Sequence, residues 1–193
     1  MTATPHPAHE VSVQTIEADG IQIFYREAGP VDAPVMLLLH GFPSSSPMFR
    51  NLIPLLAQRY RVIAPDLPAF GFTVVPEARR YTYTFDNLAK TIMAFIEAIR
   101  LTRYALYLFD YGAPVGLRLA LTKPERVTAI VSQNGNAYLE GLGTAWNPIR
   151  RYWNAPNNSA NREALREALT LEGTRWQYMH GVTEPEAIEP EAY

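Results

Sequence analysis

One carboxylate in this chain stands where a charge is expensive. In "YALYLFDYGAPVGLRLAL", residues 104 to 121, an apolar strand pattern ends at Asp110 and an apolar helix pattern begins at about Gly112. A side chain on such a strand-to-helix corner is pushed outward. It lies at a helix N-terminus, where free N–H groups and the helix dipole favour negative charge. Gly112 keeps the corner free of a Cβ clash. An aspartate there is an anion at neutral pH, so it can attack carbon without a base and needs one only to hydrolyse the ester it forms. The plainer alternative is that Asp110 is a helix N-cap, a position aspartate favours. The corner alone does not choose between the two.

A second group with chemical potential is "HGFP", residues 40 to 43, at the end of another apolar run. Gly41 lets the backbone turn its N–H groups toward the same side as Asp110, where they and the N–H of Tyr111 could form an oxyanion hole. His40 itself reads as a loop-shaping histidine, not as a base. The remaining histidines are His6, His9 and His180, and there is no cysteine. Disulfides, thiolate catalysis and cysteine metal sites are therefore excluded, and no metal site is expected.

These residues need a scaffold that brings strand ends together. "VSVQTIEADGIQIFYREAG" alternates around the turn former "ADG" and predicts a hairpin. "PVMLLLH" (34–40), "YRVIAPD" (60–66), "YALYLFD" and "VTAIVSQNG" (127–135) predict strands, the first three as continuous runs buried on both faces. Between them, "SPMFRNLIPLLAQ" predicts one helix from Met48, Leu52, Leu55 and Leu56. "TFDNLAKTIMAFIEAIR" (84–100) predicts a helix capped by Thr84, and "GAPVGLRLALTKP" one that stops near Pro124. The alternation gives an α/β fold, a mostly parallel sheet with helices on both faces. Ligands in such sheets bind beyond the carboxyl ends of the strands. Three such ends, at His40 to Pro43, at Asp66 and at Asp110, converge on one crevice.

Composition bounds the rest. Of the 193 residues 48% are hydrophobic and 19% charged, which is a globular composition, and the net charge of −2 offers no footprint for nucleic acid or an anionic membrane. Residues 1–10, "MTATPHPAHE", lack an apolar core and read as a flexible tail without a secretory signal. No apolar run approaches the roughly 20 residues of a membrane span, and a cytoplasmic protein is expected. Residues 11–136 form the expected core. Residues 137–193 hold all three tryptophans and read as a helical lobe, with "ANREALREALT" a helix capped by Asn158 or Ser159 and carrying a solvated charged face. Arg118, in the helix after the corner, reads as a structural ion-pair partner.

Taken in order, hairpin, "LLLHGFP", helix, "VIAPDLPAFGFT", helix, "LYLFDYGAPVG", helix and strand resemble the α/β-hydrolase fold. An aspartate at the corner is similar to the haloalkane dehalogenase and epoxide hydrolase branch. The resemblance implies a cofactor-independent hydrolase of a small apolar substrate, with Asp110 as nucleophile and the backbone N–H groups of Phe42 and Tyr111 holding negative charge. It implies that His40 and Pro43 border the substrate, and that residues 137–193 are a helical cap in which Tyr152, Trp153 and Tyr178 shape the pocket. For any one of these aromatics, ordinary packing of cap on core is the plainer and favoured reading. Phe42 looks like the epoxide hydrolases; Leu108, two residues before the corner aspartate, looks like the dehalogenases. The branch stays open. The family's acid and histidine base follow later strands, for which no segment appears by residue 193. The 193-residue chain is therefore expected to resemble the N-terminal two-thirds of such an enzyme, to lack the base, and to expose a sheet edge open to self-association. The alternative is a binding protein for small molecules on the same fold.

Overall fold

The computed structural model describes residues 10–166 and 169–189. Of the expected tail, residues 1–10, all but residue 10 lie outside the described residues, His6 and His9 among them. The chain divides into two compact units, Met1–Ala137 and Tyr138–Tyr193.

The first unit is a six-stranded sheet. Strands β1 (Ser12–Ala18) and β2 (Ile21–Ala28) form the expected antiparallel hairpin, followed by β3 (Val35–Leu39), β4 (Arg61–Pro65), β5 (Tyr104–Phe109) and β6 (Val127–Gln133). The spatial order is β1-β2-β4-β3-β5-β6. β3 pairs parallel with both β4 and β5, and β5 pairs parallel with β6. The connection from β2 to β3 passes over β4 and that from β4 to β5 passes over β3, which places the carboxyl end of β3 between those of β4 and β5. His40, Asp66 and Asp110, the residues after these three strands, are thus neighbours at one end of the sheet.

Helices α2 (Phe85–Ala98) and α3 (Gly112–Thr122) supply the buried side chains on one face. Ile92, Phe95, Ile96, Val115 and Leu119 pack there with Leu37, Leu39 and Leu106 of the sheet. On the other face Phe49, Ile53 and Ala57 pack on Leu38, Val62 and Ala64. The alternate residues of β3 go to opposite faces, which is why its sequence is an unbroken apolar run. α2 begins where its cap residue predicts, with the Asn87 N–H donating to the Thr84 hydroxyl.

The single helix expected over "SPMFRNLIPLLAQ" is instead two pieces, a 3-10 turn at Ser46–Phe49 and the short helix α1 (Leu52–Leu56). Pro54 has no N–H to give to the carbonyl of residue 50, and its ring crowds that carbonyl, so a continuous helix breaks there. Leu55, assigned to the buried stripe, is exposed. β6 lies at the sheet edge with Ile130 and Val131 exposed, unlike the strands inside the sheet.

The second unit holds the helices α4 (Asn147–Asn154), α5 (Ser159–Arg166) and α6 (Leu171–Met179). The side chain of Asn158 accepts from the N–H groups of Ala160 and Asn161, which makes it the cap of α5. No helix among the described residues is long and apolar enough to cross a membrane.

Candidate active site

Asp110 directly follows β5 and its backbone is left-handed, with φ 47. For a residue with a Cβ this conformation is uncommon, although aspartate tolerates it better than most. The sharp reversal carries the chain from β5 directly into α3. Two glycines make the corner possible. A Cβ on Gly112 would lie 2.1 Å from the carbonyl oxygen of Leu39, and a Cβ on Gly41 would lie 2.3 Å from the Cβ of Asp110. β3 and its following loop therefore press against the corner at distances that only glycine permits.

The carboxylate is not a helix cap. The N-cap residue of α3 is Tyr111, which makes no side-chain cap hydrogen bond. The Phe42 N–H instead donates to Asp110 Oδ1 at 2.9 Å, across 68 residues of sequence. This overturns the plainer reading of the corner. One carboxylate oxygen is fixed by a backbone donor from the neighbouring loop. Phe42 is joined to Pro43 by a cis peptide bond.

His40 is fully buried, and both of its ring nitrogens are engaged. The Leu67 N–H donates to Nε2 at 2.9 Å, which leaves the proton on Nδ1, 3.0 Å from the Gly41 carbonyl. Burial lowers its pKa below the ordinary 6.5, against the opposing pull of the Gly41 carbonyl and of the Asp66 and Asp110 charges. A pH dependence of stability follows. The unfolded chain takes up a proton on this ring as pH falls through about 6.5, and the folded chain does not until lower pH. The contribution of His40 to stability is therefore fully present above that value and declines below it, by at most about 1.4 kcal/mol per pH unit. Urea midpoints from pH 7.5 down to 5.5 should fall, and His40→Gln should reduce the slope in that window.

Aromatic side chains surround the corner. The Tyr111 ring lies 5.8 Å from Phe42, 6.1 Å from Phe70 and 5.0 Å from Phe85, centroid to centroid. Burial, aided by the Asp110 charge, raises the pKa of Tyr111, so its phenol is neutral at physiological pH. Phe70 and Phe85 were not among the residues the sequence singled out. Phe85 is visible in retrospect, directly after the Thr84 cap. Arg118 pairs with Asp86 at 2.6 Å, and both side chains are well exposed, so it is the structural ion pair expected and contributes little. Tyr152 and Trp153 lie on α4 and Tyr178 on α6, in the second unit. Trp153 is about half exposed, with its ring 6.1 Å from Trp146, and His180 stacks on Trp176 at 4.5 Å. Among the described residues no cluster of three or more His, Asp or Glu could hold a metal.

The family model for the alpha/beta hydrolase fold matches residues 34–183. The chain belongs to the α/β-hydrolase family. Within it, the similarities fall on the haloalkane dehalogenase and epoxide hydrolase branch. An uncharacterized hydrolase of Saccharomyces cerevisiae is 46% identical over 188 residues, covering 96% of this chain and 63% of the relative. A haloalkane dehalogenase of Mycobacterium marinum is 36% identical over 132 residues, covering 68% of this chain and 44% of the relative. The crystal structure of an epoxide hydrolase from Vigna radiata matches with a TM-score of 0.58 and 34% identity, over 66% of this chain and 41% of that one. This α/β-hydrolase chain spans less than two thirds of the length of each.

Proposed function

We propose that this chain carries the nucleophile of a hydrolase that opens small apolar electrophiles, haloalkanes or epoxides, through an ester on Asp110. The observation that supports this best is the Asp110 carboxylate on its left-handed corner, with Oδ1 bound by the Phe42 N–H. That bond leaves Oδ2 as the attacking oxygen. Oδ2 forms a bond to the substrate carbon, and the carbon–halogen or carbon–oxygen bond breaks. The electron pair leaves as halide, or stays on the epoxide oxygen, which takes up a proton. Oδ1 becomes the carbonyl oxygen of the new ester, still facing Phe42 N–H, with the amide of Tyr111 as second donor. Phe42, Phe70, Phe85 and Tyr111 give the corner apolar surroundings suited to an apolar substrate. In such surroundings a bound carboxylate is less hydrated and a better nucleophile.

Hydrolysis of the ester needs a base. His40, with both nitrogens engaged inside the fold, does not supply it. This chain, assayed by itself, is expected to stop after one alkylation. The same observation supports the second reading, a protein that binds apolar molecules without reacting. Bromide release from a panel of small bromoalkanes separates the two. The enzyme reading predicts a burst that levels off at about one bromide per chain, and covalent addition of an opened epoxide at the same stoichiometry. Saturable binding with neither bromide release nor addition would favour the binding protein.

A further inference from the structure

Asp66 is a fully buried carboxylate that the proposed reaction does not use. Its Oδ1 accepts the Ser46 N–H at 2.7 Å and its Oδ2 accepts the Phe72 N–H at 2.9 Å. Its main chain is tied as well: the Asp66 N–H donates to the Phe24 carbonyl, and the Asp66 carbonyl accepts the Thr73 hydroxyl at 2.7 Å. The Thr73 hydroxyl oxygen also accepts the Phe24 N–H of β2, and Val74 pairs with Gln22 of the same strand. The loop that follows β4 is thus fastened to the sheet at both ends. Gly71 is left-handed, and a Cβ there would lie 2.0 Å from Asp66 Oδ2, so the loop wraps closely around this carboxylate.

The loop that follows β3 hangs from that fixed frame at two points. At its start, His40 Nε2 takes the Leu67 N–H. At its end, the Ser46 N–H is held by Asp66 Oδ1. Between these anchors lies Phe42, whose N–H binds Asp110. A buried carboxylate with two backbone donors is a strong and directional tether, because both bonds are charge-assisted and water does not compete.

From this we infer that Asp66 is a positioning residue: its carboxylate, clamping the Ser46 and Phe72 amides, fixes the loop that aims the Phe42 N–H at Asp110. The inference rests on the proposed nucleophilic role of Asp110. Without the clamp the loop still follows β3, but the donor wanders and Asp110 loses its fixed orientation. A misplacement of about 1 Å can lower reaction rates by about 100-fold, so a loss of about 10 to 100-fold is expected. Binding of an apolar substrate, which depends on the aromatic side chains, changes little.

The test is the rate of covalent capture of 1-bromobutane, followed by intact mass against reagent concentration, at a temperature where circular dichroism shows each variant folded. Asp66→Asn keeps the shape but turns an N–H donor of its own toward one of the two amides. The expected result is a maximal rate lowered about 10 to 100-fold, with a half-saturating concentration within about twofold of the parent. Ser46→Pro removes one donor and leaves Asp66 intact. Ser45 before it is already extended, with φ −145 and ψ −167, as a residue preceding proline must be. It should lower the maximal rate in the same direction, and it carries the test if Asp66→Asn does not fold. A folded variant with the parent's maximal rate, or one that changes only the half-saturating concentration, would overturn the inference. A parent chain that captures no reagent would instead count against the nucleophilic role of Asp110.

Discussion

Asp110→Asn is expected to abolish covalent capture of alkyl reagents while leaving the fold in place. The asparagine carbonyl can still accept the Phe42 N–H, the bond that Asp110 Oδ1 accepts at 2.9 Å. Asparagine also tolerates the left-handed backbone that this position requires, at φ 47. What disappears is the anionic oxygen. A neutral amide oxygen is a far weaker nucleophile, and removal of a catalytic nucleophile lowers rates by about 10⁴-fold or more. Intact-mass time courses should show no adduct on the variant within the time that saturates the parent. Thermal unfolding of the two should differ by only a few degrees. An unfolded variant would mean that the carboxylate is structural.

The second large effect is on stability. Gly112→Ala would place a methyl group 2.1 Å from the Leu39 carbonyl oxygen, 2.7 Å from its carbonyl carbon and 2.8 Å from its Cβ. These are atoms of β3, a strand paired on both sides, and they cannot give way without moving the sheet. Overpacking of this kind costs about 1–3 kcal/mol and more where backbone must shift, so a loss of about 3 kcal/mol or more is expected. That is a large part of the about 5–15 kcal/mol of a typical domain. Gly143→Ala is the control, since a Cβ there meets nothing within 4 Å, and it should change stability by less than about 0.5 kcal/mol. Urea denaturation of both variants decides the point. Equal midpoints would show that the corner is not as tight as its geometry indicates.

The sheet was legible because its strands announce themselves. "VMLLL" and "RVIAP" are buried on both faces, as an interior strand covered on both sides requires. α2 was legible from one cap residue and a regular apolar stripe. α1 was misread because apolar spacing was weighed and Pro54 was not, although proline decides whether a helix can continue. At the site, Asp110, Gly112 and the "HGFP" loop stand out because a charge, a glycine and a proline follow apolar runs. The pairing of Phe42 with Asp110 spans 68 residues. It depends on the strand order, which crosses over β3 and cannot be derived from local pattern. Asp66 was noted as the end of a strand and as part of the "VIAPDLPAFGFT" stretch that resembles the family, with no partner assigned to it. Its clamp was not legible, because both partners are backbone amides, which leave no trace in the choice of side chain. The one signal was Gly71, five residues later, where the chain must pass close to the carboxylate.

The central claim is that Asp110 is the nucleophile, and peptide mapping tests it most directly. The chain is incubated with 1-bromobutane or a terminal epoxide, digested with trypsin, and the added mass located by tandem mass spectrometry. Cleavage after Arg103 and Arg118 isolates the corner on one peptide, Tyr104–Arg118, with Asp110 its only carboxylate side chain. The account predicts one alkyl group per chain, on that peptide and on Asp110. Modification spread over surface carboxylates and histidines, with Asp110 unmodified in a folded chain, would contradict it.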